Sequence, residues 1–435
     1  MTAPRRALDP VTFEVLKNAF STSVDLMSEQ ILRTCHSFVI YARDFSCSLC
    51  DAEGNTIMQG SQDIAVHVGT LHFTCKAVIE AFAGDIHEGD VFAVNDPYLG
   101  GTHFNDVRII RPIFHEGRIL GYAQANGHWA DVGGSVPGSF DVNAREHFGE
   151  GLRIPPVRLW DRGAYRADVG RLLFLNTRVP SDCEGDMHAQ AEATRMCERE
   201  ILRLVGRYGV ETIESAFGEV QDYVERLTRS RIAELPDGIY ETEDYLDSDP
   251  AGGEGLIPIR VRLEIRGDQL HYDLTGSHPV VGSFLNSGFG ATSSAIYAGT
   301  KTFFPDVPLN SGFYRAVTLE LGPEGTVVNA PHSAHTRTRN VIRLRMLPPV
   351  GRCGSNGVDT GWSRCYRLST ANPCSYLRPL RSRHARHDHP RTFPGRRDRN
   401  TQAGLLLLQG TGRELHRRLE RRSAHEGARI ECRPA

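Results

Sequence analysis

The sequence predicts an α+β fold, with mixed, hairpin-rich sheets, flanking helices and more than one subdomain. Three observations carry that reading. A few long segments place apolar residues every three or four positions, as amphipathic helices do. Shorter segments rich in Val, Ile, Phe and Tyr are joined by turn residues, as in hairpins. The two kinds of segment come in blocks, not in strict β-α-β alternation, which argues against a doubly wound parallel sheet.

Asp9-Pro10 opens the first helix, and Leu16, Phe20, Val24, Met27 and Ile31 form its apolar stripe through about Thr34. Phe45 to Leu49 and Thr56 to Met58 read as strands around an Asp51–Asn55 turn, and Thr70 to Phe82 reads as a helix. Val91 to Val94 is a short strand running into the loop Asn95-Asp96-Pro97-Tyr98-Leu99-Gly100-Gly101. Val107 to Phe114 and Ile119 to Asn126 are strands joined by His115-Glu116-Gly117-Arg118. Asp186 to Tyr208 and Glu211 to Leu227 have helical periodicity. Tyr240 to Leu246, Ile257 to Ile265 and Leu270 to Leu274 are strands again, and Ala291 to Phe304 is a helix rich in small residues. No internal repeat is visible. The division expected is a site-bearing part over about 1–160, a helical and second β part over about 180–331, and a different tail over 332–435.

Charge sets the tail apart. Residues 332–435 hold 22 Arg, no Lys and 7 acidic residues, against 28 basic and 46 acidic residues before them. The tail follows neither structural period. Exclusive Arg with abundant His, Pro, Ser and Cys is what an out-of-frame reading of GC-rich DNA produces, so a frame shift near 331–345 and a disordered tail are expected. The rival is an Arg-rich arm for nucleic acid, held through phosphate contacts; the tail lacks interleaved aromatics and any reading motif. No apolar leader or stretch of ~18–20 apolar residues is present, so no secretion signal or membrane span is expected. Cys47 and Cys50 form a C-x-x-C on a strand, without the context of a redox or zinc site, and read as half-buried structural thiols. A reducing cytoplasm fits.

The densest polar constellation runs from His67 to His147. His103 and Asp106 lie three apart after Gly100-Gly101, and His128 ends the strand that pairs back, so the three can meet. Two imidazoles and a carboxylate suit Zn, Mn or Fe. Among 18 histidines the bland alternative, surface or satisfied core residues, stands beside that reading. His67 sits in apolar surroundings and, taken alone, reads first as a packed core histidine. Asp44 can be a salt-bridge partner, Asp96 can simply start the Pro97 turn, and Asp131 can orient an imidazole. There is no G-x-x-x-x-G-K-[ST] and no G-x-S-x-G, so nucleotide chemistry needs a partner chain.

With Asp9-Pro10-Val11-Thr12-Phe13-Glu14-Val15, Arg43-Asp44-Phe45-Ser46-Cys47, Val66-His67-Val68-Gly69, Asn95-Asp96-Pro97-Tyr98, Gly100-Gly101-Thr102-His103, Asp106, His128, Asp131 and Glu150-Gly151-Leu152-Arg153-Ile154-Pro155-Pro156, the chain resembles the hydantoinase B/oxoprolinase family. Asp273-Leu274-Thr275-Gly276-Ser277 and Asn310-Ser311-Gly312-Phe313-Tyr314-Arg315 extend the resemblance to about Ala330. It implies a subunit of an ATP-dependent hydrolase that opens a cyclic amide of the hydantoin or 5-oxoproline type, or else a ketone carboxylase subunit. It implies a divalent metal (Mn, Zn or Fe) on His103, Asp106 and His128. Catalytic roles are then expected for His67 as general base and for Asp44 and Asp96 in orienting it or the substrate. ATP would sit on a hydantoinase A-like partner subunit in a hetero-oligomer. The family continues in frame well beyond the point where this tail departs, which puts the activity of the chain in question. Two further alternatives are a non-haem Fe oxygenase, which would act alone with O₂, and an inactive truncated product.

Overall fold

The computed structural model describes residues 8–331 apart from 65, 66, 68 and 254. Of two compact units, Met1–Val350 and Gly351–Ala435, the second lies outside the described residues. So does the Arg-rich segment 332–435, with the frame shift expected there.

Helix α1 (Pro10–Thr34) starts where the sequence says it should. Pro10 occupies the first turn, and the Asp9 side chain accepts from the Val11 and Thr12 amides at 3.1 and 3.0 Å. Its buried stripe includes Leu16, Phe20, Val24, Met27 and Ile31. A single turn, α2 (Phe38–Tyr41), leads into the first sheet. That sheet is built from β1 (Phe45–Asp51), β2 (Thr56–Gln59), β3 (Val91–Val94), β4 (Asp106–His115), β5 (Arg118–His128), β6 (Val157–Asp161) and β7 (Ala164–Tyr165). The order is β2-β1-β5-β4-β3-β6-β7, antiparallel throughout.

Both faces of this sheet are covered. Phe45, Cys47, Leu49, Val107, Ile109, Ala123 and Ala125 belong to one core with α1 and with α5 (Pro180–Tyr208). On the opposite face, Cys50, Phe92, Ile110 and Tyr122 pack against Cys75 and Val78 of α3 (Leu71–Ala81). Cys47 and Cys50, three apart on a strand, therefore point to opposite sides. Both are buried and unpaired, as structural thiols are.

After α4 (Ala167–Phe174), α5 and α6 (Val210–Ile232), the chain builds a second sheet of order β11-β10-β9-β8. Its strands are β8 (Gly238–Leu246), β9 (Ile257–Arg266), β10 (Gln269–Asp273) and β11 (Val317–Glu320). Helices α7 (Phe289–Lys301) and α8 (Ser311–Arg315) connect β10 to β11, which consequently runs parallel to it. The α+β class and its blocks match the sequence reading. The short elements α2, β6, β7, α4, α8 and β11 do not appear in it, because two to eight residues hold too little of either period.

One irregularity decides where the site forms. Glu116 and Gly117 both have positive φ, 47° and 79°, which is the two-residue hairpin turn that matches strand twist. His115 pairs with Arg118 and Phe114 with Ile119, but beyond them Ile113 pairs with Gly121, so Leu120 is an inserted bulge residue. The bulge advances the register by one and sets Asp106 directly opposite His128. Without it, Asp106 would face Gly127 and the His128 side chain would leave by the other face.

Gln190 of α5 pins the same strands from behind. Its Nε2 donates to the Val107 and Ala125 carbonyls at 2.9 and 3.0 Å, and its Oε1 accepts from Trp129 Nε1 at 2.9 Å. Gln190→Met fills the space but leaves these groups without partners, at about 1–3 kcal/mol for each one stranded. Chemical denaturation should show at least one such loss; an unchanged midpoint would mean that the pin carries no stability.

Candidate metal centre

The glycine loop between β3 and β4 is held before any ligand is considered. Asn95 donates to the Phe104 and Leu152 carbonyls at 2.6 and 2.9 Å, and its Oδ1 accepts from the Ile154 amide at 2.6 Å. Asp96 caps the Tyr98 amide at 2.9 Å and accepts from Arg153 Nε at 2.7 Å. Gly100 turns the chain at φ 93°, and a Cβ on Gly101 would stand 2.7 Å from the Asp96 carbonyl oxygen. This scaffold presents His103 just before β4.

Among the described residues, two groups of donors converge so that all their ligand atoms lie within 4.8 Å: His103, Asp106 and His128, and Asp44, His67 and Asp106. Asp106, fully buried at the start of β4, belongs to both. His103 Nδ1 and His67 Nε2 approach its Oδ2 at 2.7 and 3.2 Å, and the Thr102 hydroxyl donates to the same oxygen. Its Oδ1 has no hydrogen-bond partner and lies 3.6 Å from His128 Nδ1. Asp44, just before β1, brings Oδ2 to 3.7 Å from the same nitrogen, and His103 Nε2 lies 3.1 Å from it. Burial acts to raise the Asp106 pKa. The electrostatic influence of the imidazoles crowded around it, His103 and His67 first, outweighs that and holds the carboxyl well below the usual range.

These residues fit a divalent cation. At a metal–ligand distance of ~2.1 Å, neighbouring ligand atoms of a tetrahedral centre stand ~3.4 Å apart. The separations around His128 Nδ1, 3.1, 3.6 and 3.7 Å, bracket that value. Imidazole nitrogens with carboxylate oxygens suit Zn, Mn or Fe, and an ionised Asp106 with an open Oδ1 supplies a ready ligand atom.

His67 lies behind the cluster. It is completely buried, with Nδ1 2.8 Å from Ser46 Oγ, Nε2 toward Asp106, and Asn126 Nδ2 at 3.0 Å from Nε2 and 3.2 Å from Nδ1. Burial lowers its pKa, with Asp106 opposing, so the neutral ring is favoured; the nearby carboxylate assigns the proton to Nε2.

Two residues singled out in the sequence do not join the cluster. Asp96 has both oxygens engaged in holding the glycine loop. Asp131, expected to orient an imidazole, accepts instead from the Gly133 and Gly138 amides and from Arg178, closing the next loop. Conversely, the sequence reading missed Ser46, Thr102, Arg108 and Asn126. Three of them lie two residues from a donor on the same strand face, Ser46 from Asp44, Asn126 from His128 and Arg108 from Asp106, so strand alternation carried the signal.

Supports behind a metal ligand typically contribute 10–100-fold to affinity. His67→Gln should therefore weaken Zn binding to the full-length chain by about that factor, without changing the circular dichroism. Wild-type affinity in the variant would remove His67 from the site.

Residues 9–350 match the Hydantoinase B/oxoprolinase family model. The beta chain of the caprolactamase of Pseudomonas jessenii is 38% identical over 329 residues, covering 75% of this chain and 56% of that protein. One subunit of a putative D-/L-hydantoinase from Pseudomonas sp. (strain NS671) is 29% identical over 377 residues, covering 82% and 63%. The crystal structure of the ATP-dependent caprolactamase from P. jessenii aligns with a TM-score of 0.72 at 36% identity, covering 77% of this chain and 58% of that one. The chain thus spans about three-fifths of the length of these relatives. With the family match covering most of its length and the same architecture in a relative, the chain belongs to the hydantoinase B/oxoprolinase family.

Proposed function

We propose that this chain is the metal-binding subunit of an ATP-dependent hydrolase that opens a small cyclic amide, with ATP handled by a hydantoinase A-like partner subunit. The observation that carries the reading is the convergence of His103, Asp106 and His128, with Asp44 beside them, where β4, β5 and β1 meet. His103, Asp106 and His128 would hold the cation. Bound there, a divalent metal polarises an amide oxygen or brings the pKa of a water toward neutrality. The partner's task is to activate the amide oxygen by phosphorylation, since no phosphate-binding glycine motif exists in this chain. That relatives are themselves single subunits of larger enzymes supports a hetero-oligomer.

Within the site, Asp44 and His67 divide the remaining work. The Asp44 side chain is 33% exposed at the edge of the cluster, in position to meet water or substrate and accept a proton. His67 is the general base expected from the sequence. Its complete burial and its contacts to Ser46, Asn126 and Asp106 favour a different task, orienting Asp106 through Nε2–H. The cysteines among the described residues are all unpaired, which supports a reducing cytoplasm. No helix among those residues is long and apolar enough to cross a membrane.

Elemental analysis of the purified full-length chain should find near-stoichiometric Mn, Zn or Fe. His103→Ala/His128→Ala should lose the metal while keeping its fold. Complexed with its ATP-binding partner, the parent should hydrolyse a hydantoin, 5-oxoproline or caprolactam in an ATP-dependent and chelator-sensitive way. Metal retained by the double variant would sink the ligand set. ATP turnover driven by ketone and bicarbonate, without lactam opening, would replace hydrolysis by carboxylation.

A further inference from the structure

Arg108 follows Asp106 by two residues on β4, on the same face of the sheet. It is completely buried, and among the described residues no carboxylate is bonded to it. Nη2 donates to Thr70 Oγ1 at 2.9 Å, and Thr70 in turn donates to the His67 carbonyl at 2.9 Å. Among the described residues, Nε and Nη1 have no hydrogen-bond partner, and the Oδ1 of the cross-strand neighbour Asn126 likewise lacks a donor. The guanidinium is therefore anchored at one nitrogen and held away from an acceptor within its own sheet. An arginine guanidinium keeps its charge at neutral pH.

Such a charge is costly to keep without an anion. The glycine loop runs close beside it: a Cβ on Gly101 would come within 3.1 Å of Nη1, so only glycine lets the backbone lie against the guanidinium. Strand spacing puts Arg108 ~7 Å from Asp106, within reach of a single small substrate. With a divalent cation present, Asp44, Asp106 and Arg108 leave an excess of positive charge, which favours an anionic occupant.

We propose that Arg108 is the oxyanion-binding residue of this site, its open guanidinium taking phosphoryl or carboxylate oxygens of the substrate beside the metal ligands. Guanidinium presents a planar fork suited to both groups. The inference rests on the metal-site reading above and adds the charge of the substrate to it.

Inorganic phosphate and acetate are titrated calorimetrically into the metal-loaded full-length chain and its variants, with metal content measured on the same samples. We expect phosphate binding to weaken at least tenfold in Arg108→Met at unchanged metal content, and Arg108→Lys to lie between. An Arg108-dependent preference for acetate would support the same subsite and assign it to a substrate carboxylate. Equal phosphate affinity in the parent and Arg108→Met would place the anion on the metal alone and overturn the proposal, as would absence of binding in the parent. Should Arg108→Met lose its cooperative melt, Arg108→Lys decides: affinity undiminished for both anions overturns it, and a several-fold loss supports it. Loss of metal with Arg108-dependent phosphate binding intact would instead fault the metal reading.

Discussion

The pairing of β4 with β5 is the constraint on which the site depends. Side chains on a strand alternate between faces, so a one-residue slip would send every second side chain to the wrong side. The turn at Glu116-Gly117 starts the hairpin in one register and the bulge at Leu120 moves it to another. Only the second register sets Asp106 opposite His128. Since β1 pairs with β5 through Phe45 and Gly127, Asp44 arrives at the same end, and Ser46 lies opposite Asn126. The candidate donor cluster and its supports thus follow from one inserted residue some eight positions away along β5.

The same register creates a cost that the fold must offset. Ser46, Ser48, Arg108, Gln124 and Asn126 form a fully buried polar row beneath α3. Buried polar groups are tolerated when they are bonded, and most of this row is. Gln124 donates to the Leu71 carbonyl at 2.9 Å and receives Thr74, while Ser46 and Asn126 meet His67. The exceptions, Asp106 Oδ1, Asn126 Oδ1 and two nitrogens of Arg108, cluster where the chemistry is proposed. Elsewhere on this face apolar packing takes over, so the polar end is a local departure from an ordinary core.

Much of this was legible in the sequence, for identifiable reasons. Helix α1 carried both its cap and its stripe, and the glycine turns marked the hairpins. His103, Asp106 and His128 stood out because loop and hairpin topology alone bring them together. The bulge was invisible, because Leu120 is one apolar residue in an apolar strand and its extra position shows only in the pairing. Burial of the sheet on both faces obscured Ser46, Asn126 and Arg108, since polar residues alternating with apolar ones ordinarily read as solvent-facing. Asp131 and Asp96 misled in the opposite sense: a carboxylate near a glycine turn suits a ligand and a loop cap equally, and only the partners distinguish them.

The central claim is that imidazole and carboxylate groups of β1, β4, β5 and the glycine loop hold one divalent cation. X-ray absorption spectroscopy on the Zn-loaded full-length chain tests it most directly. The account predicts a shell of nitrogen and oxygen at ~2.0–2.1 Å with the outer-shell scattering of two imidazoles and no sulfur. A sulfur shell at ~2.3 Å, or scattering from fewer than two imidazoles, would contradict it.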